Sequence, residues 1–201
     1  MEKIIDLYTD GACTLQHEKQ PGGWGAYLLC GSHKVEIKGG ELYTTNNRME
    51  ILSIVKGLQR IKMKDYTVRV YTDSAYVYNA FDKDWITGWI KNGWKTSKKK
   101  PVENQDLWTV LLEEMSKFVR VEYIKVKGHS TCEGNKIADK LAVEGKKEIL
   151  LSSEQRVITP ETQRLIDLFN NTPIEQIKLA IDCMSESDRQ HCLSVLRKVC
   201  A

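Results

Sequence analysis

The run Thr67-Val-Arg-Val-Tyr-Thr-Asp-Ser74 decides the class of this fold. β-Branched and aromatic residues dominate it as far as Tyr71, and Thr72-Asp73-Ser74 then closes it, so it reads as a strand with a polar stop. Helical patterns follow. A tryptophan-rich stretch runs from Trp85 to Trp94, and residues 103–117 place Leu107, Val110, Leu111 and Met115 on one face. Val119–Val126 reads as the next strand and Glu133–Lys147 as a further helix. Strands separated by helices imply a partly parallel sheet with helices packed over it.

Upstream, the residues from Ile4 alternate loosely and stop at Asp10-Gly11, a strand-ending signal. Pro21-Gly22-Gly23 reads as a loop, Trp24–Cys30 as an apolar strand, and Val35–Gly40 as its antiparallel return after Gly31-Ser32. After Asn46, the residues Met49, Ile51, Leu52, Ile54, Val55 and Leu58 recur at helical spacing. The expected architecture is an α/β domain over residues 1–148. Its five-stranded mixed sheet has antiparallel hairpins at the front, parallel strands in the second half and flanking helices.

Composition excludes other classes. The chain has 201 residues, 41 % hydrophobic and 28 % charged, which is globular rather than disordered. No apolar run approaches the roughly 20 residues that span a bilayer. Acids at Glu2 and Asp6 interrupt what a signal peptide would need, so a soluble, cytoplasmic protein is expected, with no membrane partner and a monomeric state. The six cysteines form no C-x-x-C pair and are read as reduced thiols. The net charge of +3 diagnoses no partner, but Lys91, Lys95, Lys98, Lys99 and Lys100 share a ten-residue window with no acid.

The C-terminal residues differ in character. Residues 149–158 are expected to form a linker, and 159–201 a small all-α extension. Thr159-Pro160, Thr172-Pro173 with Glu175, and Ser185 with Asp188 supply helix starts. Such a segment is of marginal size for independent stability, so it is expected to dock on the main domain or on a protein partner.

Four acids stand where structure alone does not call for them. Asp10 and Asp73 follow apolar strands, at the edge where open α/β sheets bind ligands. Glu50 lies early in one helix and Asp139 within another. Singly, each reads equally well as a turn former, cap or surface charge. As a set they form a carboxylate cluster, which repels itself unless a cation sits among its members. Hard oxygen donors favour Mg²⁺ or Mn²⁺, and a pair of such ions can cleave a phosphodiester.

Six segments carry a resemblance. Tyr8–Cys13, Thr44–Glu50, Tyr71–Ser74, Gly93–Thr96 with its following lysines, Lys127–His129 and Asn135–Asp139 are similar, in order, to those of type 1 ribonuclease H. The resemblance implies that Asp10, Glu50, Asp73 and Asp139 hold two Mg²⁺ ions, with Mn²⁺ able to substitute. Asp10 would touch both ions, Asp139 would help hold the ion that activates water, and Glu50 and Asp73 the ion beside the leaving group. His129 matches a mobile-loop histidine implicated in proton transfer or product release. The implied reaction is endonucleolytic hydrolysis of the RNA strand of an RNA–DNA hybrid, leaving 5′-phosphate and 3′-hydroxyl ends.

The same resemblance implies the substrate contacts. Asn46 and Asn47 match hybrid-contacting asparagines, with Cys13 close by, and Thr45 and Arg48 lie near a DNA phosphate site. Asn135 belongs to the matching run around Asp139. Trp85, Trp89, Lys91, Trp94, Lys95, Lys98 and Lys99 resemble a handle that grips the DNA strand, although the tryptophans read equally well as core packing. Ala75, Ile90, Asn92 and the loop Thr14–Gln20 depart from the family's pattern. Ile90 and Asn92 are expected to lower hybrid affinity or throw it onto Lys95 and Lys98–Lys100. A non-catalytic hybrid-binding module and a DNA resolvase of the same wider fold are the competing readings.

Overall fold

The computed structural model describes residues 3–127 and 132–154. In chain order the elements are β1 (Ile4–Cys13), β2 (Gly22–Cys30), β3 (His33–Glu41), α1 (Asn46–Arg60), β4 (Thr67–Thr72), α2 (Ala75–Asp82), α3 (Trp85–Lys91), α4 (Gln105–Met115), β5 (Arg120–Lys125) and α5 (Glu133–Glu154). The five strands form one sheet in the order β3-β2-β1-β4-β5. β1 pairs antiparallel with β2, and β2 with β3. β1 and β5 each pair parallel with β4. The mixed sheet and its two halves are those expected.

Alternation along β1 sorts the two faces. Ile5 and Leu7 point into a core with Val68 and Val70 of β4 and with Ile51, Ile54, Val55 and Leu58 of α1, all buried. Trp108 of α4 is fully buried and acts as an aromatic hub. Its Nε1 donates to Tyr76 Oη at 3.2 Å, and Trp89, Tyr76 and Phe81 meet its ring edge-on at 5.5, 5.5 and 6.1 Å.

On the other face α5 lies against β2, β3 and β1 at backbone contact. A Cβ on Gly25 would stand 2.2 Å from the Ala138 carbonyl oxygen and 2.6 Å from Ala142 N. Only glycine lets the helix come this close. Gly25 pairs with Asp10 in β1, so the same contact sets how near α5 comes to that aspartate.

Several boundaries depart from expectation. β1 does not stop at Asp10-Gly11 but continues to Cys13, paired with a β2 that begins at Gly22. The glycines that read as loop formers are strand residues there. α2, which no periodic pattern announces, follows Asp73 directly, capped by Ser74 Oγ, which accepts from Val77 N at 3.3 Å. The tryptophan-rich helix is shorter than expected, because Gly93 and Trp94 both take positive φ. α5 runs about two turns past Lys147, over residues expected to begin a linker. Lys38 of β3, already paired with Glu144, reaches Glu148 in this extension, each at 2.7 Å, and Lys19 Nζ donates to Ser153 Oγ at 3.4 Å.

No helix among the described residues is long and apolar enough to cross a membrane. The expected helices of the 159–201 extension lie outside the described residues.

Gly25→Ala tests the contact with α5. The added methyl has backbone on its far side, so α5 must shift, and a loss of about 1–3 kcal/mol is expected by thermal or urea unfolding. Wild-type stability in this variant would mean that the helix does not rest on Gly25.

Candidate active site

The parallel ladder of β1 and β4 ends at the pair Thr9–Thr72, and the next residue of each strand is an aspartate. Asp10 stays within β1 and is buried, whereas Asp73 is half-buried in the turn before α2. α1 supplies the third acid. Thr45 caps this helix, its Oγ1 accepting from Arg48 N at 3.3 Å. A Cβ on Gly11 would stand 2.6 Å from Glu50 N, so glycine at this position lets α1 press Glu50 against β1.

One oxygen from each of Asp10, Glu50 and Asp73 lies within 4.8 Å of the other two. Hydrogen bonds satisfy this cluster only in part. Gly11 N donates to Asp10 Oδ1 at 2.7 Å, and Asn46 Nδ2 donates to Glu50 Oε1 at 3.1 Å. Glu50 Oε2 is buried and has no hydrogen-bond partner among the described residues.

The charges feel one another. Burial, then repulsion from Asp73, pushes the Asp10 carboxyl up to about 7; the Gly11 N–H opposes this and Asp139 adds to it. Glu50 is held well above the usual carboxylate range, first by burial and then by Asp10 and Asp73, with Lys125 and Asn46 opposing. Asp139, on α5, falls outside the 4.8 Å trio, and its charge still reaches Asp10.

Three converging carboxylates and a buried acceptor without a donor, with no thiol or imidazole joining them among the described residues, fit a hard divalent cation such as Mg²⁺ or Mn²⁺. Asp10, Glu50 and Asp73 are the residues that could hold it, with Asp139 beside them.

A family model described as RNase H matches residues 2–147. The chain belongs to the RNase H family. Ribonuclease H of Syntrophomonas wolfei subsp. wolfei is 50 % identical over 143 residues, 71 % of this chain and 94 % of its own length. Ribonuclease H of Thermoanaerobacter sp. (strain X514) is 50 % identical over 141 residues, 70 % of this chain and 88 % of its own. Among solved structures, LC9-RNase H1, a type 1 RNase H with the type 2 active-site motif, is similar with a TM-score of 0.65 at 26 % identity, covering 74 % of each chain. The divalent-metal dependence that RNase H membership implies agrees with the donor set above.

The other RNase H positions fall into three groups. Thr45, Asn46 and Asn47 line the start of α1, with Thr45 and Asn46 exposed beside Glu50. Cys13 Sγ donates to the Thr44 carbonyl at 3.4 Å and so ties the end of β1 to the entrance of α1. Lys91, Lys95, Lys98 and Lys99 are exposed, as is Lys100, and none forms an ion pair with a described residue. A tight turn presents the last three of these, with Thr96 N donating to the Lys100 carbonyl at 2.8 Å and Lys99 at φ +60°.

The second group is turned toward the protein itself. Trp85, Trp89 and Trp94 are partly buried against the core, so their packing role is the one observed. Arg48, expected near a phosphate, is held by Glu41 at 3.0 Å and Asp106 at 2.8 Å. Asn135 is buried one turn before Asp139, with Oδ1 unpartnered among the described residues. The third group is His129 alone, which lies outside the described residues. Lys125, a residue that no sequence pattern marks, stands at the cluster, its Nζ donating to the Asp73 carbonyl. Only strand register reveals it, because Lys125 pairs with Thr72.

The raised Asp10 carboxyl fixes the sign of the pH dependence. Between the usual value of 3.8 and about 7, the metal-free folded protein holds a proton that the unfolded chain has released. Stability therefore falls as pH rises through that window. Melting in EDTA is expected at a lower temperature near pH 8 than near pH 5, and Asp10→Asn should melt above wild type near pH 8. Added Mg²⁺ should raise the melting temperature more near pH 8 than near pH 5. A flat profile would show that Asp10 ionises like a surface aspartate.

Proposed function

We propose that this chain hydrolyses the RNA strand of RNA–DNA hybrids endonucleolytically, leaving 5′-phosphate and 3′-hydroxyl ends. The observation that carries the reading is the convergence of Asp10, Glu50 and Asp73 at the carboxyl edge of the parallel strands, in a chain half identical to ribonucleases H over most of their length. Asp10, Glu50, Asp73 and Asp139 would hold two Mg²⁺ ions, for which Mn²⁺ could substitute. When bound, the ions supply an activated water and stabilise the leaving oxygen.

The chain's own residues do the rest. The β1–β4 ladder and the α1 contact at Gly11 hold Asp10 and Glu50 in place before substrate arrives, so little reorganisation of these two is left for the reaction. Asn46 and Asn47 lie beside the cluster, where 2′-hydroxyls in the minor groove could be read, the feature that separates RNA from DNA. The exposed lysines from Lys91 to Lys100 would bind the DNA phosphates, a contact that positions the duplex without reading its sequence. His129 would assist proton transfer or product release. Residues 1–154, to the end of α5, would form the catalytic domain, and the helices expected beyond 158 would serve as a docking extension.

The reading is tested with an end-labelled RNA–DNA hybrid beside RNA–RNA and DNA–DNA duplexes, in Mg²⁺, Mn²⁺ or EDTA. Cutting of only the RNA strand of the hybrid, dependent on metal and abolished in Asp73→Asn, is expected. Binding without cutting under any metal would instead favour a non-catalytic hybrid-binding module, and cutting of branched DNA a resolvase.

The lysine turn makes a separate prediction. Replacing Lys98, Lys99 and Lys100 together by alanine should weaken hybrid binding similarly for all sequences. It should also flatten the slope of log K against log salt by about three, roughly one for each phosphate no longer neutralised. An unchanged slope in anisotropy titrations would place the DNA strand elsewhere.

A further inference from the structure

Asp73 is the least enclosed member of the carboxylate trio, and it lies in a turn rather than in a strand or helix. Strands and helices fix their residues through repeating hydrogen bonds, and a turn residue needs some other restraint to hold a metal ligand in place. The backbone ladder of α2 does not supply one, because the first carbonyl it uses is that of Ser74, which accepts from Tyr78 N at 3.0 Å. What meets the Asp73 carbonyl is the ammonium of Lys125.

Lys125 is well placed for this. It is the last residue of β5 and stands in register with Thr72, the residue before Asp73. Next to it, Val126 N donates to the Thr72 carbonyl at 3.0 Å, so the ends of β4 and β5 are joined by two successive contacts. Thr72 Oγ1 accepts from Ser74 N at 3.1 Å and closes the turn from its other side. Lys125 is exposed, and its charge acts on Glu50 as well.

We propose that Lys125 is a positioning residue for the carboxylate cluster: by binding the Asp73 carbonyl it fixes the turn that aims the Asp73 side chain at Asp10 and Glu50. This rests on the metal-dependent reading above. Lys125 works through Asp73, and the ion would meet Asp73, not Lys125.

The test compares wild type with Lys125→Met, which keeps the length of the side chain, and Lys125→Arg, which keeps a charged donor. Mn²⁺ affinity is measured by calorimetry without substrate, and kcat and KM for an RNA–DNA hybrid are measured in Mg²⁺. Partners that orient a metal ligand typically contribute about 10–100-fold in metal affinity or activity. Lys125→Met is therefore expected to bind Mn²⁺ more weakly and to lose kcat on that scale, with KM for the hybrid little changed. Lys125→Arg is expected to recover most of both. Thermal melting of the variants should stay near wild type, as for an exposed side chain.

Three outcomes would overturn the proposal. Tighter Mn²⁺ binding in Lys125→Met would show that the lysine acts only as a like charge repelling the ion. A raised KM with unchanged kcat would make it a substrate-phosphate contact. Unchanged affinity and kcat in both variants would leave it no role. If wild type binds Mn²⁺ but cuts no hybrid, the hydrolase reading fails, and the calorimetry still decides the role of Lys125.

Discussion

Like charge gathered out of water is the constraint on which this structure depends. Asp10 and Glu50 would move apart and away from Asp73 if they could, because both are buried and each feels a neighbouring carboxylate. They are kept together by backbone, which has little freedom to yield. Asp10 and Asp73 follow the two members of one rung, Thr9–Thr72, at the end of a parallel ladder, and Glu50 sits on a helix whose backbone touches β1 at Gly11. α5 brings Asp139 toward the same edge through its contact with Gly25, the strand partner of Asp10. The site is a departure from good packing rules, with a buried Glu50 oxygen that has no partner among the described residues, and the surrounding core compensates for it.

That core also divides labour within the sequence from Trp85 to Lys100. The tryptophans pack inward, where Trp89 meets the buried Trp108, while the lysines are exposed, three of them on a tight turn. One short segment can thus be rigid and strongly basic together, a useful combination for gripping a phosphate backbone. Arg48 illustrates the opposite arrangement. Its guanidinium joins Glu41 to Asp106 across the entrance of α1, so its charge is spent on holding that helix.

Much of this was legible in the sequence, and the failures have physical causes. The β-branched and aromatic run of β4 and the helical spacing in α1 and α4 placed those elements to within a few residues, because each buries one face of its own pattern. Glycine misled where the end of β1 pairs with the start of β2: Gly11 read as a strand stop and Gly22-Gly23 as a loop. A residue that breaks strands in isolation was needed here because α1 and α5 approach the sheet too closely for a side chain. α2 escaped notice because its eight residues are too few for a period to show, although Ser74 carried the capping signal. The end of α5 was set too early because the contacts that prolong it come from Lys38 and Lys19.

By itself the sequence determined which residues could do chemistry: four acids, an acid-free run of lysines and a pair of asparagines, set on strand ends and helix starts recognisable from local pattern. Tertiary structure alone decided which of them meet. Asp10, Glu50 and Asp73 are far apart along the chain and converge within 4.8 Å. It also turned the tryptophans inward, buried Asn135, gave Arg48 to two acids and brought Lys125 to Asp73. The reason is one of range. Propensity and period act over a few residues, whereas the distance between two side chains on different elements is set by strand register and by how closely a helix can lie on a sheet.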